Sequence, residues 1–184
     1  MSVCRRLIAA ACVAAGVTAA ALLSVSGSGA AGASPLAVSE GSSTPVPPEL
    51  AVPDGNRLTA RFAASGVQVY RCTSGAWVFV EPAAALYDRY GRTVAIHFRG
   101  PSWESIRDGS LVEGAVVASV PVTGSIAQLL LRATTTRGTG VFGGVSYIQR
   151  LATTGGTAPA GSCTEGETRG VPYTAVYQFY KPTA

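Results

Sequence analysis

Residues 93–110 read TVAIHFRGPSWESIRDGS, and their pattern decides the fold class. Val94, Ile96 and Phe98 alternate with Thr93, Ala95, His97 and Arg99. Successive side chains on a strand point to opposite faces, so apolar residues at every second position mark a strand with one face buried. Gly100-Pro101 then ends the strand and puts Trp103 and Glu104 into a loop, and Asp108-Gly109-Ser110 makes a tight turn. The same pattern of short apolar runs and turn residues extends in both directions. Downstream lie apolar, β-branched runs at residues 112–120 and 126–134, separated by Pro121-Val122-Thr123-Gly124, and further strands at 145–152 and 173–180. In the last of these Tyr173, Ala175, Tyr177 and Phe179 share one face, and Thr174, Val176, Gln178 and Tyr180 share the other. Residues 126–133 also suit a short helix, because a triple leucine fits either state.

Upstream, residues 58–63 and 67–72 read as strands joined by a hairpin turn at Ser65-Gly66. Residues 76–81 form another strand, with Trp77 in the core beside Phe79, and it ends at Pro82; residues 83–87 suit one helical turn. Eight or nine short strands with frequent glycine and proline, and no long helical period, predict an all-β fold: a single antiparallel β-sandwich or barrel domain with one disulfide.

The chain has 184 residues. Arg5 and Arg6 precede an apolar, alanine-rich stretch, no further charge occurs before Glu40, and Ala31-Gly32-Ala33 forms a cleavage site. Residues 1–33 therefore read as a secretory signal peptide. Residues 34–56 carry five prolines among serine, glycine and threonine, which favours an extended linker over a packed element. Residues 57–184 are the β-rich domain. Removing Arg5 and Arg6 from 14 basic residues leaves 12 against 10 acidic ones, with the charge spread along the chain. That is no nucleic-acid footprint, which requires a clustered basic face. No membrane association is expected once the signal is cleaved.

The mature chain keeps two cysteines, Cys72 and Cys163. An oxidising compartment predicts that they pair across 90 intervening residues. Two isolated cysteines and one histidine fall short of four metal ligands, so no metal is expected. Residues 138–143, GTGVFG, match the dinucleotide pattern by letter. A strand-like segment follows them instead of a helix, which argues for a bulge or wide turn and no cofactor.

His97, Glu104 and Asp108 are the grouping with acid–base potential, with Ser102 and Ser110 nearby as hydroxyls. The chain has no G-x-S-x-G elbow, and His97 in a strand beside a β-turn is equally a structural residue. Trp103, placed in a loop, is the candidate ligand-contacting aromatic.

Several blocks resemble, in order, the exported family catalogued as domain of unknown function 3455. They are GVQVYRC at 66–72; Trp77 with Pro82 and Leu86; residues 97–110; residues 126–133; residues 138–163, which contain YIQR and TTGGTAP; and YTAVYQFY at 173–180. Gln128 and Val176 depart from the family pattern, which commonly has tryptophan and aspartate there. The resemblance implies a secreted β-rich domain with the Cys72–Cys163 pairing, and it supplies no activity. The expected function is a secreted β-domain that acts as a binding or cell-envelope interaction module, its partner an unknown small ligand or envelope component. The alternative is a small extracytoplasmic enzyme using His97, Glu104 and Asp108.

Overall fold

The computed structural model describes residues 45–183. The signal-peptide segment and the linker up to residue 44 lie outside the described residues. Eight strands run in chain order: β1 (Asn56–Thr73), β2 (Ala76–Tyr87), β3 (Thr93–Phe98), β4 (Ser102–Ser105), β5 (Leu111–Val122), β6 (Ser125–Arg137), β7 (Tyr147–Gly155) and β8 (Thr168–Pro182). Each pairs antiparallel with its sequence neighbour, and β8 pairs with β1, so the sheet closes into a barrel. Of the two predicted architectures, the chain adopts the barrel. Closure leaves no sheet edge exposed along the β1–β8 seam, where the two longest strands pair from Asn56–Pro182 to Arg71–Thr168.

Several expected breaks are absent. Ser65-Gly66 is no hairpin turn, because β1 runs through it and pairs with β2 and β8 on both sides. Glycine is needed there for close approach: a Cβ on Gly66 would collide with the Ala83 carbonyl oxygen and with Ala84. Gly66→Ala is therefore expected to destabilise the barrel by about 1–3 kcal/mol, because the obstacle is backbone and cannot rotate away. Urea unfolding measures this against Ser65→Ala, an exposed neighbour on the same strand.

Pro82 does not end β2, and residues 83–87 are strand, not a helical turn. Pro82 sits opposite Gln68 on β1, beyond the β2–β3 pairing that begins at Ala84. With a neighbour on one side only, this is where a sheet best tolerates proline. Residues 102–105, expected as loop, form β4, which pairs with β3 and β5. The triple leucine is strand as well. Leu129 and Leu131 pack into the barrel interior, while Leu130 packs outside with Leu50 and Leu151. Both faces are covered, which explains the unbroken apolar run.

That outer cover comes from the stretch expected to be an unpacked linker. Pro48–Leu50 forms a 3-10 turn, Leu50 is fully buried, and its carbonyl accepts a 2.6 Å hydrogen bond from Gln149 Nε2.

The inner face of β8 is as predicted, with Tyr173, Ala175, Tyr177 and Phe179 all buried. On β3 Val94 is buried as expected, but beyond it the expected facing is reversed. Ala95 and His97 point into the barrel, and Ile96 is 43% exposed. Trp77 is half-buried, with the Arg169 guanidinium 5.2 Å over its ring, and lies outside the core.

One end of the barrel is plugged by the β6–β7 connection. Phe142 is fully buried there, 4.7 Å from Phe179 between ring centroids, and its N–H donates to Ser110 Oγ at 3.0 Å. The glycines of GTGVFG thus serve a tight plug: a Cβ on Gly140 would strike the Asp108 carboxylate. Toward the opposite end, Cys72 near the end of β1 is bonded to Cys163 in the β7–β8 loop, with the Cα atoms 5.8 Å apart.

Candidate functional site

That opposite end opens into a cup of about 490 Å³, walled by Tyr70, Phe79, Pro82, Pro101, Val116 and Leu129. Tyr70 is held at the wall by its hydroxyl, which donates to the Gly156 carbonyl at 2.7 Å. His97, Gln68 and Arg150 bring polar groups to its lining. A smaller pocket of about 20 Å³ continues between His97, Trp103, Leu131, Tyr177 and Arg150.

His97 is placed by strand register. It faces Trp103 across the β3–β4 pair, and the two rings stack at 4.4 Å with 4° between their planes. Tyr177 meets the imidazole edge-on at 5.2 Å. His97 Nδ1 lies 2.8 Å from the Ser102 carbonyl oxygen. A carbonyl can only accept, so Nδ1 carries the proton and Nε2 is a bare acceptor. Burial pulls the imidazole pKa down to about 3; the bond to Ser102 opposes this and the Arg150 charge reinforces it. The ring is therefore neutral at pH 7.

This has a measurable consequence. The folded pKa lies below the ordinary value of 6.5, so the unfolded chain takes up a proton first as pH falls. Stability is full above pH 6.5 and drops toward pH 3 by up to about 1.4 kcal/mol per pH unit. Asp88 and Asp108 have carboxyls lowered from 3.8 to about 2, so their contribution is lost in a lower window. Unfolding midpoints measured from pH 7 to 4.5 should fall in the wild type and flatten in His97→Gln.

Arg150 extends from β7, and its Nε donates to the Ala127 carbonyl at 3.0 Å. Among the described residues no carboxylate pairs with it. Around it the Tyr173 and Tyr177 hydroxyls and the Gln68 amide crowd together. Yet Tyr173 Oη, Tyr177 Oη and Gln68 Nε2 are buried with no partner in hydrogen-bonding geometry, as is Trp103 Nε1. Burial pushes both phenols above their ordinary pKa, while Arg150 pulls the other way.

The other expected site residues are not brought to His97. Trp103 points inward, so Glu104 points out, where its carboxylate meets Arg137 at 2.6 Å. Asp108 sits by the plugged end and accepts from the N–H groups of Ser110 at 2.9 Å and Val141 at 3.1 Å. These bonds, Ser110's first, hold its carboxyl low. Ser102 Oγ donates to the Arg99 carbonyl at 2.9 Å. The constellation His97, Glu104 and Asp108 is therefore dispersed, because neighbours in sequence alternate between faces. Trp103 is 1% exposed and a core residue, not a loop contact. Among the described residues no three His, Cys, Asp or Glu side chains gather as a metal site.

Arg150, Gln68, Tyr173 and Tyr177 escaped sequence reading as site residues. Their signal was present: an arginine two residues after Ile148 in a strand occupies the same inward face as a core isoleucine.

No curated protein and no solved structure matches the chain significantly. Residues 53–181 match the family described as protein of unknown function DUF3455, a span that begins ahead of β1 and ends within β8. Because the match covers the barrel almost from end to end, the chain belongs to the DUF3455 family of proteins of unknown function.

Proposed function

We propose that the protein is an exported binding module whose open barrel end takes a small ligand. The observation that carries this reading is the open, mostly apolar cup with the His97, Gln68 and Arg150 side chains in its lining. Arg150 is half-buried with no carboxylate partner among the described residues, and a ligand that answers its charge recovers part of the cost of withdrawing it from water. An eight-stranded barrel is just wide enough to fill with side chains or to hold one small ligand, and the size of the cup falls in the range of small-molecule sites. Export is supported by the signal-like sequence of residues 1–33 and by a disulfide that suits an oxidising compartment. An enzyme built on His97, Glu104 and Asp108 draws no support from this geometry, since neither carboxylate reaches the imidazole.

A thermal-unfolding screen against chemically varied small molecules tests the reading, with wild type beside Val116→Trp. Val116 is 53% exposed at the cup wall, so the fold tolerates the added bulk while the mouth narrows. A compound that raises the wild-type midpoint and leaves the variant unshifted is the expected result. Equal shifts in both proteins, or none in either, contradict it.

A further inference from the structure

Two arginines line the cup, and their surroundings differ. Arg99 is exposed at the rim, where it pairs with Glu81 at 3.3 Å, so its charge is largely answered. Arg150 is half-buried, and among the described residues no carboxylate answers it. A cation withdrawn from water without a counter-ion is expensive, so such a site favours an anionic guest. The imidazole beside it supplies no competing positive charge.

The geometry also selects the kind of anion. Arg150 Nε is already committed to the Ala127 carbonyl, which fixes the guanidinium and its two terminal nitrogens, beside the Tyr177 hydroxyl. That pair of parallel donors matches the two oxygens of a carboxylate. The Gln68 side-chain amide lies in the same lining. One unanswered charge calls for a single negative charge. The remaining walls, formed by Phe79, Pro82, Pro101 and Leu129, suit an apolar or flat body behind it.

We infer that the cup binds a small organic monocarboxylate, its carboxylate clamped by Arg150 and its apolar body lying against Phe79 and Leu129. This rests on the ligand-binding reading above and narrows it to a chemical class.

Calorimetric titration of sodium benzoate, phenylacetate and hexanoate, each beside its neutral amide, tests the inference. At least one carboxylate is expected to bind wild type roughly tenfold or more tightly than its amide, and Arg150→Gln is expected to remove that preference. Arg150→Lys keeps the charge and loses the fork, so it should retain only part of the preference; it also serves if Arg150→Gln fails to fold. If amides bind as well as carboxylates, or the preference survives in both variants, the monocarboxylate inference is overturned while ligand binding stands. If none of the carboxylates binds while a neutral compound from the wider screen does, the inference again falls alone. If no compound binds at all, both readings fall.

Discussion

Replacing Cys72 and Cys163 together by alanine is expected to remove about 4–5 kcal/mol of stability in urea unfolding. The two cysteines are 91 residues apart in sequence, so the bond closes a loop that holds most of the barrel. Opening it returns a large conformational freedom to the unfolded chain, and that is where the loss arises. The folded site should change little. The Cys72 N–H donates to the Glu167 carbonyl at 2.8 Å, and the Cys72 carbonyl accepts from the Gly166 N–H at 3.1 Å. The β7–β8 loop therefore stays tied to the end of β1 without the sulfurs. Reducing the wild type should lower its stability by a similar amount. A loss below about 1 kcal/mol in both experiments would mean that the unfolded chain is already constrained by other contacts.

Trp103→Ala carries the second large effect, about 3–5 kcal/mol. The indole is almost fully buried, stacks on His97, and meets Tyr177 at 5.3 Å and Phe179 at 5.9 Å between centroids. Its removal leaves a void in the layer that supports the cup, and a closed barrel has little freedom to collapse around it. Trp103→Phe should cost clearly less. Nε1 has no hydrogen-bond partner, so phenylalanine removes a buried unsatisfied donor together with some volume. Equal losses in the two variants would show that stacking on His97 contributes little.

The fold class was legible because most of its signal is local. The alternation in residues 173–180 gave the inner face of β8 correctly, and glycine-rich turns marked most strand ends. What failed depended on neighbours distant in sequence. Gly66 resembles a turn residue until β2 is seen pressing on it, and Pro82 resembles a strand end until its one-sided pairing is known. The facing of β3 was read from hydrophobicity alone. Alternation sets His97 on the face opposite Val94, Ile96 and Phe98, yet that face is the inner one at His97, where stacking on Trp103 and a bond to Ser102 satisfy the imidazole. The site was less legible than the fold. Only His97 of the expected catalytic set lines the cup, and the residues that join it there, Gln68 of β1 and Arg150 of β7, are brought together by barrel closure, which no local pattern shows.

A neutral His97, protonated on Nδ1, stands at the inner end of the cup proposed to take a ligand. The chain contains a single histidine, so an imidazole ¹⁵N spectrum reports on this residue alone. From pH 8 to pH 4.5 the spectrum should show Nδ1 protonated and Nε2 bare, with no titration near 6.5. Adding a carboxylate that binds should then shift the Nε2 resonance. A midpoint near 6.5, or an Nε2 signal unmoved by a saturating ligand, would contradict the account.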